Sequence, residues 1–422
     1  MKEKVVDLKY GKLHLIKTKK FRSISIKVLL RDEIKKSDIV KRNFLTDYLV
    51  FSTKKYKTRK QLSLKTQDLY SLYISSFNNR IGNFLVTRFN LSLLNPKYTE
   101  DNMLEESLDL FHEVIFNPNV ENNQFNKTNF DIIKNNIEKE IMTEKEDPKS
   151  YANIRMLECL GDGPFSYRGY GYLDDLNKIN EKNLYQYYKD FLAKSDVDIY
   201  VIGDFSIKDM TKLVKEKLNF KTLKKPKSKI TIYHDKFLKK ERTFIEEFKV
   251  NQSKLSIGCK LNNLNEFERK YVINIYNMLL GGGFNSKFMQ IIREQNSLAY
   301  YINSSVNKAD NLLIIQSGIS YENFDKVIKY IKDILKNIGK YITEEELINA
   351  KMEYLSILEE TNDNMDSIVE NLIAANLLNL DDLEIRKKEI SKVSIEDIKK
   401  ISKKVYMDTV YLLKGDNNEK DI

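Results

Sequence analysis

The sequence predicts an α+β chain of two homologous domains, each an antiparallel β-sheet covered on one face by helices. Three observations predict it. At 422 residues the chain exceeds one ordinary core and fits two or three domains. Strand-like runs bunch at both ends of each half with helical periodicity between them, the pattern of an antiparallel sheet with segregated helices. The stretch from Ile179-Asn180-Glu181-Lys182-Asn183-Leu184 to Ile199-Tyr200-Val201-Ile202-Gly203-Asp204 returns as Val393-Ser394-Ile395-Glu396-Asp397-Ile398 to Tyr411-Leu412-Leu413-Lys414-Gly415-Asp416, about 212 residues later.

Taken in order, Leu13–Thr18 and Ser23–Leu30 read as strands. Lys36–Ser52 follows as a helix with Phe44, Leu45, Tyr48, Leu49 and Phe51 on its apolar side. A helix at Thr58–Asp68 leads to paired strands near Tyr70–Phe77 and Ile81–Ser92. Helices then fill Met103–Phe116, Gln124–Glu144 and Ser150–Leu160. Gly161–Tyr172 is a Gly- and Tyr-rich loop that reads as either a ligand holder or local packing. Asn180 caps a helix to Leu192, and Asp198–Ile202 is a strand.

Lys221–Lys229 is polar, basic and carries Pro226, so it is placed as a linker between domains 1–220 and 230–422. Strands follow at Thr243–Val250 and Lys254–Leu261, and a helix at Glu266–Leu279. Strand Asn311–Ser317 pairs with the one starting at Tyr300. Helices at Tyr321–Gly339, Thr343–Ala374, Leu380–Ile390 and Ser394–Lys404 precede a final strand, Thr409–Leu413.

Composition removes several function classes. The hydrophobic fraction of 41% suits a globular chain. The net charge of +10 is spread along the chain and dominated by lysine, which is compositional bias rather than a nucleic-acid footprint. Cys159 and Cys259 stand far apart, excluding a disulfide framework or zinc knuckle. There is no apolar leader and no run near 18 apolar residues, so a cytoplasmic location without membrane contact is the default.

The stretch richest in chemistry is Leu279-Leu280-Gly281-Gly282-Gly283-Phe284-Asn285-Ser286-Lys287-Phe288, running on to Arg293 and Tyr300. Gly281, Gly282 and Gly283 are expected to allow φ > 0 and to break the preceding helix, with Asn285 or Ser286 capping the next. Phe288, Ile291 and Ile292 form its apolar stripe. From Leu298 the period becomes alternating, so Arg293 ends a helix and Tyr300 begins a strand. Such a turn brings two donors suited to an oxyanion or peptide carbonyl together. On spacing alone, the ordinary reading is a surface arginine and a buried strand tyrosine.

With the duplication and the Gly-Gly-Gly…Arg-Glu-x-x-x-Leu-Ala-Tyr stretch together, the chain resembles the insulinase/pitrilysin family of inverted-motif zinc peptidases. The likeness spans nearly the whole chain and is nearer to small paired subunits of the mitochondrial processing peptidase type. Active members carry H-x-x-E-H on a first-half helix, and a later Glu completes the zinc site. Here Asn43 and Asp47 stand at the histidine positions and Thr46 at that of the base, which removes water activation. Glu140 matches the third ligand, although with Glu144, Glu146 and Asp147 it reads equally as a solvated acidic face. Asn43, Asp47 and Glu140 could alternatively form an all-oxygen site for a hard cation. His14, His112 and His234 are too widely separated to restore zinc.

The resemblance further implies that Arg293 and Tyr300, seven residues apart as in the family, bind the scissile carbonyl. The resulting expectation is a non-catalytic subunit that binds no cofactor itself. It would supply Arg293 and Tyr300 to the zinc site of an H-x-x-E-H-containing homologous subunit acting on peptides. The alternative is a peptide-binding or scaffold homodimer without proteolytic activity.

Overall fold

Apolar alternation builds two sheets of nearly the same design. The computed structural model describes residues 3–221 and 240–415. The first sheet is assembled from β1 (Glu3–Asp7), β2 (Gly11–Lys17), β3 (Ser23–Glu33), β4 (Tyr73–Ile81) and β5 (Phe84–Leu94). After a small hairpin, β6 (Val120–Glu121) and β7 (Gln124–Phe125), β8 (Asp196–Gly203) completes it. Its order is β1-β2-β8-β3-β5-β4. The second sheet has β9 (Arg242–Glu247), β10 (Ser253–Leu261), β11 (Tyr301–Asn307), β12 (Leu312–Ile319) and β13 (Val405–Lys414), in the order β11-β12-β10-β13-β9.

Reading the second order backwards gives β9-β13-β10-β12-β11, strand for strand the arrangement β2-β8-β3-β5-β4 of the first sheet. The repeat seen in the sequence is therefore a repeat of topology, to which the first sheet adds β1. Each sheet is antiparallel except where its closing strand pairs in parallel with an opening strand, β8 with β2 and β13 with β9. Both helices preceding the closing strands begin in capping boxes, at Asn180 and Ser394.

The described residues divide into two compact units. One takes in the described residues of Met1–Met142 and Arg168–Lys229, the other those of Thr143–Tyr167 and Ile230–Ile422. Thr143–Tyr167 thus packs with the second unit although it is numbered within the first half. Apart from Lys221, the expected linker 221–229 lies outside the described residues.

In the first unit the helices are α1 (Ile39–Phe51), α2 (Arg59–Asp68), α3 (Met103–Phe116) and α4 (Lys127–Thr143), followed by shorter ones and Glu181–Lys194. Phe44, Leu45, Tyr48 and Leu49 of α1 are fully buried in the same core as Ile26, Val28, Phe89 and Leu91 of the sheet. Burial of each large apolar side chain contributes roughly 1.5–3 kcal/mol, so this stripe fixes the helix to the sheet.

The second sheet is covered on both faces, not one. Leu255, Ile257 and Cys259 of β10, with Val410 and Leu412 of β13, face the larger helical core. On the opposite face Tyr411 and Leu413 pack with Tyr151, Ala152, Met156 and Leu160 of α5 (Pro148–Leu160). Gly258 makes the approach of α5 feasible, since a Cβ there would lie 2.6 Å from Met156 Sδ.

Other expectations need adjustment. The helix expected at Thr343–Ala374 is two, Glu344–Glu360 and Met365–Leu378, because Asn364 caps the second by accepting from the amides of Asp366 and Ser367. The strand expected from Tyr70 starts at Tyr73, as Tyr70 and Ser71 both take positive φ in a turn. The expectation omitted β1 and the helix Ile207–Lys217, which Ser206 caps.

Gly258→Val should destabilise the fold by about 1–3 kcal/mol through overpacking against Met156 and Leu160. A lowered urea midpoint with unchanged slope would verify this; an unchanged midpoint would show that α5 yields at no cost.

Candidate functional site

The first group of expected site residues lies on α1, and its polar atoms are spent on holding the helix. Asn43 Nδ2 donates to the Gly169 carbonyl at 2.8 Å, and Asn43 Oδ1 accepts from Asn78 Nδ2 at 3.1 Å. Thr46 is buried; its hydroxyl donates to the Asn43 carbonyl at 2.8 Å, and its own carbonyl accepts from Ser76 at 2.6 Å. Asn78 Oδ1 in turn accepts from Thr87, whose oxygen accepts from Arg42 at 2.8 Å.

Asp47 is half-buried on the same helix. Burial, and then the facing Glu140 carboxylate on α4, push its carboxyl up to about 6. Burial also raises Glu140. The structure therefore brings Asp47 and Glu140 into one electrostatic neighbourhood. However, a zinc-type ligand set does not fit these residues, because Asn43 has committed both ends of its amide and Thr46 offers only a hydroxyl. Among the described residues no three His, Cys, Asp or Glu side chains group to hold a metal ion. His14 is buried against Glu3 at 2.6 Å, and His112 lies on α3 with Nδ1 2.7 Å from the Lys217 carbonyl. His234 lies outside the described residues.

The second group belongs to the other unit. Gly281–Gly283 do not break the helix by adopting positive φ. A wide turn with i→i+5 hydrogen bonding runs over Met278–Gly282, and Gly283 has φ −93°. These glycines provide space: a Cβ on Gly281 would lie 2.7 Å from Phe288 and 2.8 Å from the Ser304 amide, and one on Gly283 2.8 Å from the Met278 carbonyl. Neither Asn285 nor Ser286 caps the next helix with its side chain; Lys287 stands at the cap, and Ser286 is buried.

That helix, Phe288–Gln295, is also of the wide type and buries Phe288 and Ile292 on one side. Ser297, with φ 50°, reverses the chain, and its amide donates to the Arg293 carbonyl at 3.0 Å. The Tyr300 amide then donates to the Gly318 carbonyl at 2.9 Å, one residue before β11. In the strand Ile302 and Ser304 are buried, with Asn303 and Ser305 exposed, as the alternation predicts. Tyr300 itself is 74% exposed, which overturns the buried-tyrosine reading.

Arg293 and Tyr300 line one open depression of about 370 Å³ together with Gln252, Ser297, Leu298, Ala299, Ile319, Ser320 and Asn323. Sequence reasoning did not single out Gln252, Ser320 or Asn323, which enter through neighbouring strand and helix ends. It also missed Ser76 and Asn78 in the half-buried β4 and Thr87 in the buried β5, whose only signal was a polar residue within a strand.

The polar positions of α1 are therefore structural, whereas Arg293 and Tyr300 stand open on their depression. Residues 178–354 match the family profile described as "Peptidase M16 inactive domain". The chain is 28% identical over 417 residues to YmfF of Bacillus subtilis (strain 168), described as a probable inactive metalloprotease, covering 96% of this chain and 97% of that one. In fold it matches a conserved protein from Enterococcus faecalis V583 with a TM-score of 0.90 at 24% identity, covering 99% and 100% of the two chains. It matches a peptidase M16 inactive domain from Pseudomonas fluorescens with a TM-score of 0.79 at 18% identity over the full length of both. The chain is thus similar to the inactive M16 domain over residues 178–354, and along nearly its whole length to an inactive metalloprotease homologue with whose structural relatives it shares its fold. No helix among the described residues is long and apolar enough to cross a membrane.

The raised Asp47 carboxyl carries a stability signature. The unfolded chain releases this proton at the ordinary value of 3.8, before the folded chain does near 6, so the folded state loses relative stability between those pH values. Asp47→Asn should therefore raise stability at pH 8 by about 2 kcal/mol and give little gain below about pH 4. Urea melts of both proteins at the two pH values check this; an equal effect at both would sink the desolvation account.

Proposed function

We propose that this chain is the non-catalytic subunit of a heterodimeric zinc metallopeptidase acting on peptides. It supplies Arg293 and Tyr300 to the zinc site of an H-x-x-E-H-containing homologous subunit. The observation that carries the reading is the contrast between the two sites. Asn43 and Thr46 are locked into internal hydrogen bonds, whereas Arg293 and Tyr300 are exposed on one depression. A guanidinium and a phenol converging from a helix end and a strand start can both donate to a peptide carbonyl, and their donation strengthens as that oxygen gains charge. Zinc and the water-activating carboxylate would come from the partner, since Thr46 cannot take a proton from bound water.

The peptide itself would be held in extended form. β11 is an edge strand of its sheet, and its Tyr300 end borders the depression, so main-chain pairing along β11 would deliver a carbonyl to the two donors.

Removing one oxyanion donor typically costs ~10²–10³ in turnover. In a mixture with the H-x-x-E-H homologue, Tyr300→Phe should lower kcat for peptide hydrolysis by about that factor while complex formation, measured by native mass, persists. Activity within a few-fold of the wild-type pair would remove the proposed role. If mixing gives no hydrolysis but the chain alone binds extended peptide as a homodimer, the scaffold reading takes its place.

A further inference from the structure

The sheet face that carries α5 is still accessible at the β11 edge, where Asn303 and Ser305 are exposed. Lys254 of β10 stands opposite Gly318 of β12, and Gly318 opposite Tyr301 of β11, so the three form one row across the sheet. Gly318 leaves the middle of the row empty and the Tyr301 ring lies across it: a Cβ there would be 2.6 Å from Tyr301 Cε1 and 2.5 Å from Gln252 Oε1. Lys254 Nζ comes to 5.7 Å from the centre of this ring, and Lys149 Nζ, from the first turn of α5, to 4.9 Å. Lys254 Nζ also donates to Gln252 Oε1 at 2.8 Å, and Gln252 lines the depression that holds Arg293 and Tyr300. All of these residues belong to one unit.

The two ammonium groups share a ring but no carboxylate: among the described residues neither forms an ion pair. Asp147, whose charge is felt at Lys254, is spent on starting α5. It accepts from the amides of Lys149 and Ser150 at 3.1 and 3.2 Å and from the Ser150 hydroxyl. Burial, and then the charge of Lys149, lower the Lys254 ammonium from its usual value. Each lysine therefore gains from a further negative charge placed beside the ring. The next positions of β11 on this face, Asn303 and Ser305, are neutral, so along this strand the charge sits at the Tyr301 end.

We propose that Lys149, Lys254 and Tyr301 form a subsite that selects an acidic side chain in the peptide lying along β11. The subsite rests on the proposed pairing of an extended peptide with that edge, and it defines the class of peptide paired there. A strand added to β11 alternates its side chains between the two faces, and the residue opposite Tyr301 projects on the Tyr301 face. Directly opposed Cβ atoms lie about 4.5–5.5 Å apart, which brings a glutamate or aspartate carboxylate at that position within reach of the exposed Lys149, with Lys254 on the same ring adding to the attraction. The peptide residue two places along, opposite Asn303, meets no charge, so one position carries the preference.

The probe is a set of short acetylated, amidated peptides of Thr and Val that carry a fluorophore and place Glu, Gln or Lys at each position in turn. Their binding to the full chain is read by fluorescence anisotropy, and kcat/KM in its mixture with the H-x-x-E-H homologue. At one position Glu should be favoured over Gln by about three- to tenfold, with Lys disfavoured, and the difference should shrink in high salt. Lys149→Glu, at an exposed first-turn position that suits an acidic residue, should remove the preference, and adding Lys254→Met should transfer it to Lys. Lys182→Gln, on an exposed helix face of the first unit, should leave it unchanged. Peptides that bind with no charge preference at any position, or a preference that persists in Lys149→Glu, would overturn the subsite while the β11 pairing stands. If no peptide is bound or cleaved, the pairing itself falls and the subsite with it. If the double variant fails to fold, the single Lys149→Glu variant decides alone.

Discussion

Each unit depends on one act of pairing, the insertion of its closing strand between strands formed much earlier in the chain. β8 lies between β2 and β3, and β13 between β9 and β10. Most helices of each unit are strung along the chain between those positions, so the sheet centre joins residues separated by most of the unit. Such non-local pairing carries a large loop-closure cost before its contacts form. The capping boxes at Asn180 and Ser394 start the helices that lead into these strands, and so set where the strands begin.

The same architecture divides the work of α1 between two sides. α1 is held by Phe44, Leu45, Tyr48 and Leu49 on its apolar side, which leaves its polar side open to change. There Asn43 and Thr46 join Gly169, Asn78 and Ser76 in hydrogen bonds that satisfy their polar atoms within the unit. Asp47 is the exception. It is a carboxyl kept in a desolvated place beside Glu140, where its charge is a burden.

Much of this was legible in the sequence, and the reasons differ by residue. The caps and the apolar face of α1 are local features, set by side chains within one or two turns, and the repeat with its Gly203 and Gly415 marks the strand ends directly. The three glycines at 281–283 were read for conformational freedom, whereas their use is space against Phe288, Ser304 and Met278. Sequence reports that a side chain is missing but not which neighbour fills the gap. The seating of α5 on the second sheet was likewise illegible, because it rests on Gly258 meeting Met156 from about a hundred residues away. Arg293 and Tyr300 were legible through a motif, but Gln252 and Asn323 reach the same depression only through strand pairing and helix placement.

The interior position of β13 also has a consequence for gene-level damage. In many sheets a frameshift or stop codon near the end of the reading frame trims an edge strand and leaves the rest paired. Here a stop before Val405 would leave β10 and β9 without the strand that bridges them, exposing two unpaired edges and the apolar faces of Leu255 and Ile257. Such a chain would enter the cell as a target for proteolysis rather than as a shortened protein. Late nonsense mutations in this gene should therefore behave as nulls.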